Sequence, residues 1–98
     1  MDYDVNFSPE SAEDIESIVG YIAVDNPQKA ESYGNKLIDR ALEAKVMPRT
    51  GRVVPEFGNT NIREFIQGNY RIVYRIRDEI KTVDILRFWH AARGTPVI

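Results

Sequence analysis

The chain has no cysteine and a single histidine, His90. The first absence excludes disulfide bridges and thiolate chemistry, and the second excludes a histidine-rich metal site, so no metal and no cofactor is expected. No segment approaches the roughly 20 consecutive apolar residues that a membrane span requires. The acidic start at Asp2 and Asp4 also lacks the basic-then-apolar layout of a signal peptide, which makes the cytoplasm the expected compartment, with no membrane partner. What is present suits one compact core: 98 residues, 43% hydrophobic and 29% charged, read as a single domain over residues 1–98.

The net charge of −2 hides an asymmetry. Residues 1–48 carry four basic side chains against ten acidic ones, a balance of −6, whereas residues 49–98 carry nine basic against five acidic, a balance of +4. All nine of those cations except Lys81 are arginines. A guanidinium presents a planar fork of donors suited to phosphate or carboxylate, so the C-terminal half is the candidate binding half.

Tyr3, Val5 and Phe7 alternate with Asp2, Asp4 and Asn6, the pattern of a half-buried strand ending near Ser8. Ser8-Pro9 then starts a helix, since the hydroxyl can accept from free backbone N–H groups and proline at the first position loses a donor that had no partner. Asn26-Pro27 repeats the device, and the apolar stripes Ile15, Ile18, Val19, Ile22 and Tyr33, Leu37, Ile38, Ala41 predict a hairpin of helices over about residues 9–24 and 27–46. Gly34 in the second stripe marks either a close approach of the helices or a weak spot. Residues 48–61 have loop composition, with a short strand at Val53 and Val54. Strands follow at 61–67, 70–77 and 80–90, the first two joined at Gly68-Asn69. In the last strand, alternation puts Val83, Ile85 and Trp89 on one side and Leu86 and Phe88 on the other. The predicted class is α+β, in the order β-α-α-β-β-β, with the helical hairpin on one face of a mainly antiparallel sheet. The opposite face, carrying Arg71, Arg75 and Arg63, is expected to be open.

At Gly51-Arg52, Pro55-Glu56, Ile62-Arg63-Glu64, Gly68-Asn69-Tyr70-Arg71-Ile72-Val73-Tyr74-Arg75 and Ile85-Leu86-Arg87-Phe88-Trp89-His90, the chain resembles the RelE/ParE superfamily of toxins from type II toxin–antitoxin modules. The likeness covers nearly the whole chain, and the chain is identified as a ParE-like plasmid stabilisation protein within that superfamily. It implies a growth-arresting protein held inactive by a cognate antitoxin, with operator DNA bound only through that antitoxin. RelE-like and YoeB-like members cleave messenger RNA, usually on the ribosome, whereas ParE-like members poison DNA gyrase. An attenuated member would keep antitoxin binding alone.

On the nuclease reading the resemblance assigns Glu56 as base, Arg71 as phosphate cation and His90 as acid, the three parts that metal-free RNA cleavage needs. Against it, Ala91 stands where those nucleases carry an aromatic, and the central loop has none of the lysines on which RelE leans. Arg63, Arg71, Arg75, Arg87 and Arg93 are candidates for phosphate or partner binding. Each has a plainer reading: His90 as a packing residue, Glu56 paired with Arg52 or Arg63, the arginines as a solvated face. Tyr70, Tyr74 and Trp89 read as core beneath the helices rather than as platforms for bases. Glu10, Glu13, Asp14 and Glu16 read as a solvated helix face. The balance favours a gyrase-type toxin over a ribonuclease.

Overall fold

The computed structural model describes residues 2–98. Both cap-and-proline signals start helices. The Ser8 hydroxyl accepts from Ser11 N–H at 3.0 Å, opening α1 (Pro9–Ala23), and Asn26 Oδ1 accepts from Lys29 N–H at 3.0 Å, opening α2 (Pro27–Leu42). Beyond Leu42 the chain tightens into 3-10 turns at Glu43–Lys45 and Pro48–Thr50, so α2 stops short of the expected residue 46. Gly34 is the contact point of the hairpin: a Cβ there would lie 2.7 Å from Val19 Cγ2, so close approach is the correct reading.

Five strands form one sheet: β1 (Asp4–Phe7), β2 (Arg52–Val53), β3 (Ile62–Gln67), β4 (Tyr70–Arg77) and β5 (Thr82–His90), in spatial order β1-β5-β4-β3-β2. β1 runs parallel to β5, and every other pairing is antiparallel. Gly68, at φ 57°, takes the first central position of the two-residue β3–β4 turn, a conformation that favours glycine there. The helices cover one face of this sheet, where Ile18, Leu37 and Ala41 pack with Phe65, Ile72, Tyr74, Ile76, Val83, Ile85 and Phe88.

That core corrects the expected phase of β5. Val73 pairs with Arg87 but Tyr74 pairs with Ile85, which leaves Leu86 as an extra residue. A bulge resets the two-residue period, so the helix-facing set changes from Val83 and Ile85 to Phe88. Trp89 consequently lies on the other face, opposite Arg71, and not beneath the helices.

The second face is closed at its centre only, since Ile66 at 48% exposure and the side chains of Arg52, Arg75 and Arg77 still meet solvent. Glu64, Arg71, Val73 and Trp89 on it are all buried. Gly94, at φ 78°, turns the chain back across this face, and its carbonyl accepts from Arg71 Nη1 at 3.3 Å and Trp89 Nε1 at 3.1 Å. Where β1 ends, α1 covers the free edge of β5: the Ser8 hydroxyl donates to Leu86 O at 3.0 Å, and Phe88 N–H donates to Asp14 Oδ2 at 3.0 Å. Asp14 is therefore an edge cover and not part of a solvated acidic face. Among the described residues no helix is long and apolar enough to cross a membrane.

Candidate functional site

Register places Arg71 of β4 between Ile66 of β3 and Trp89 of β5. From there its guanidinium meets two carboxylates. Nε donates to Glu64 Oε1 at 2.7 Å and Nη2 to Glu64 Oε2 at 3.3 Å, while Nη1 and Nη2 reach Glu56 Oε2 and Oε1 at 2.7 Å each. With the bond to Gly94 O, all five donors of the guanidinium are matched. Glu64, whose side chain is fully buried, also takes Arg52 Nε at 2.7 Å. The result is an alternating row, Arg52–Glu64–Arg71–Glu56, with no net charge.

This row sets the chemistry of its members. Hydrogen bonding to Arg71 holds the Glu56 carboxyl down at about 2, and Glu56 and then Glu64 push the Arg71 guanidinium further up. A carboxylate so weakly basic is poorly matched to proton abstraction near neutrality. A guanidinium with every donor engaged can take a phosphate only by giving up a carboxylate.

His90, the last residue of β5, pairs with Tyr70 and shares its helix-side face, the two rings meeting edge-on with centroids 5.0 Å apart. Its Nδ1 accepts from Ala92 N–H at 3.1 Å, which leaves the imidazole proton on Nε2. The structure thus brings Glu56 and Arg71 together and places His90 on the opposite side of the sheet.

The other arginines are mostly occupied. Arg63 lies on the helix side and clamps the loop, donating to Thr60 O at 2.9 Å, Arg49 O at 3.1 Å and Gly51 O at 3.0 Å. Arg75 and Arg77 share Asp84, at 3.4 and 2.7 Å. Arg87 forms a bidentate pair with Asp14 at 2.8 and 2.9 Å, and Arg93 stacks 4.0 Å from the centre of the Trp89 ring. The expected open arginine face is thus a paired one, with Arg71 and Arg87 largely buried and Arg75 and Arg77 partly exposed, because acidic partners from a loop, a neighbouring strand and α1 converge on it.

Residues 5–94 match the family described as the ParE toxin of the type II toxin–antitoxin system, parDE. The chain belongs to this family. No curated protein matches it by sequence. Among solved structures it is similar to a chain of the chromosomal ParDE system of P. aeruginosa, with 16% identity, 90% of this chain and 95% of that one covered, and a TM-score of 0.73. The toxin–antitoxin complex RelBE2 of Mycobacterium tuberculosis is matched at 25% identity over 92% and 99% of the two chains, with a TM-score of 0.64. E. coli RelE, as an arginine-to-alanine double mutant in the free state, is matched at 16% identity over 96% and 88%, with a TM-score of 0.66.

Two further surfaces of this ParE-family toxin escaped the sequence reading. Phe7, Ala12, Ile15 and Ile38 line an open apolar hollow of about 250 Å³ beside the hairpin. A larger cleft of about 760 Å³ lies between the turn joining the helices and the β3–β4 turn, walled by Tyr21, Tyr33, Tyr70 and His90. Glu64 and Arg52 were missed as partners of Arg71. A signal was present, since a two-residue turn at Gly68-Asn69 fixes the hairpin register and sets Glu64 diagonal to Arg71 on the same face.

Proposed function

We propose that this chain arrests growth when free by binding a protein target of the DNA gyrase type, and that a cognate antitoxin neutralises it in the cytoplasm. The observation that carries this reading is the saturation of Arg71: all five donors are engaged by Glu64, Glu56 and Gly94, and His90 is on the other face. RNA cleavage without a metal needs a cation, a base and an acid around one phosphate, whereas protein binding asks no proton transfer of these residues. The antitoxin seats apolar anchors in the hollow formed by Phe7, Ala12, Ile15 and Ile38, and any operator contact runs through it.

Induction of the toxin alone, followed by separate assays of gyrase supercoiling and messenger RNA cleavage, tests the reading. Growth arrest should persist in His90→Gln and Glu56→Gln, with supercoiling inhibited and messages intact. Ribosome-dependent cleavage by the wild type, lost in both variants while each remains folded by circular dichroism, would overturn it. One observation favours that second reading, a RelE-like nuclease: Glu56 and Arg71 are in bidentate contact on one face, so part of the required constellation is in place.

A further inference from the structure

We propose that the cleft between the turn of the helical hairpin and the β3–β4 turn is a nucleotide-binding site, taking a planar base among its tyrosines and His90 and the attached phosphate beside Lys29. Three of the five tyrosines in the chain converge there with its only histidine. A volume of about 760 Å³ accommodates a small ligand. The rings meet by edges and tilts and leave faces unstacked. Tyr33 and Tyr70 meet at a tilt of 56° with centroids 6.0 Å apart, Tyr70 and His90 at 82° and 5.0 Å, so no wall ring is stacked face to face on another. Tyr21 stands at the rim 78% exposed, a large aromatic that the core does not use.

The hydrogen-bonding valences fit the edge of a base. His90 spends Nδ1 on Ala92 N–H and keeps an Nε2 donor. The Tyr33 hydroxyl spends its proton on Gln67 O at 3.3 Å and keeps acceptor capacity. Gly68 permits this wall, because a Cβ there would lie 2.7 Å from the Tyr33 hydroxyl. Lys29 and Asp25 both line the cleft and neither forms an ion pair among the described residues. They supply a cation for a phosphate and an acceptor for sugar hydroxyls. A smaller hollow of about 220 Å³ shares Tyr21, Tyr70 and His90 and extends to Arg93, a second cation for a following phosphate. The −6 balance of residues 1–48 opposes a long polyanion along α1, so the site fits one or two nucleotides.

Nucleotide binding is read separately from growth arrest, so the site is tested independently of the toxin's target. Isotope-labelled full-length protein is titrated with the common ribonucleoside monophosphates, the matching nucleosides, inorganic phosphate and a short single-stranded oligonucleotide, following backbone amide resonances. Saturable shifts are expected at Lys29, Asn69, Tyr70 and His90. Tyr21→Ala, at an exposed position, should weaken binding about tenfold through loss of one base–aromatic stack. Lys29→Ala should weaken the monophosphates and leave the nucleosides unchanged. Binding of free monophosphates identifies a small-molecule ligand, and binding of the oligonucleotide alone identifies a strand end. The proposal is overturned if nothing saturates at millimolar concentration, if inorganic phosphate alone reproduces the shifts, or if Tyr21→Ala binds as well as the wild type.

Discussion

Tyr74 shows how one hydroxyl organises a loop. Fully buried under the helices, it donates to Pro48 O and accepts from Gly51 N–H at 3.1 Å, and a Cβ at residue 51 would lie 2.2 Å from it. Burial pushes its phenol up to about 12, so it stays a neutral donor through the physiological range. Tyr74→Phe strands a carbonyl and an N–H, and chemical denaturation should register a loss of about 1–3 kcal/mol. Glu56 supplies a pH test. Arg71 lowers its carboxyl from 4.5 to about 2, so the stabilisation is complete above the unfolded-state value and disappears as pH falls through the folded-state value. The stability difference between wild type and Glu56→Gln should therefore be constant above pH 4.5 and vanish towards pH 2. Unfolding titrations across that range check it, and a difference that grew as pH fell would contradict the assigned pairing.

At the scale of elements, the helical hairpin depends on Gly34. Gly34→Ala gains about 1 kcal/mol in helix propensity but drives a methyl into Val19, an overpacking penalty of about 1–3 kcal/mol. The expected net effect is destabilisation, relieved in the double variant Gly34→Ala/Val19→Ala; thermal melts of the three proteins measure the coupling. The edge of β5 depends on Asp14, whose side chain is 12% exposed and serves both Arg87 and Phe88 N–H. Asp14→Ala leaves a largely buried guanidinium without its carboxylate and opens a strand edge. A loss of about 3 kcal/mol and concentration-dependent self-association are expected, visible by denaturation and light scattering. The caps, both helices and the β3–β4 hairpin were legible from sequence because their signals are local: a capping oxygen, a proline, a two-residue turn. The β5 bulge was not, because alternation counted from either end of the strand looks regular and only pairing with β4 reveals the extra residue at Leu86.

For the whole molecule, the row Arg52–Glu64–Arg71–Glu56 joins the segment after β2, the centre of the sheet and the returning C-terminal segment. Arg71→Ala leaves Glu64, whose side chain is 0% exposed, with Arg52 as its remaining cation, and removal of one partner from a buried pair costs up to about 3–5 kcal/mol, a large share of the stability of a domain this size. Loss of toxicity in that variant should therefore track loss of folded protein by circular dichroism, unlike a catalytic loss at unchanged stability. The sequence by itself determined the order of elements, the helix starts, the hairpin turn and the family, all of which rest on short-range pattern or on motifs in line. Only the tertiary structure decided which face each side chain of β5 occupies and whether the arginines meet solvent. Both depend on groups distant in sequence: Asp14 lies 73 residues from Arg87 and Glu56 15 from Arg71. A charge acquires its role from the partner that folding brings to it, and local periodicity carries no record of that partner.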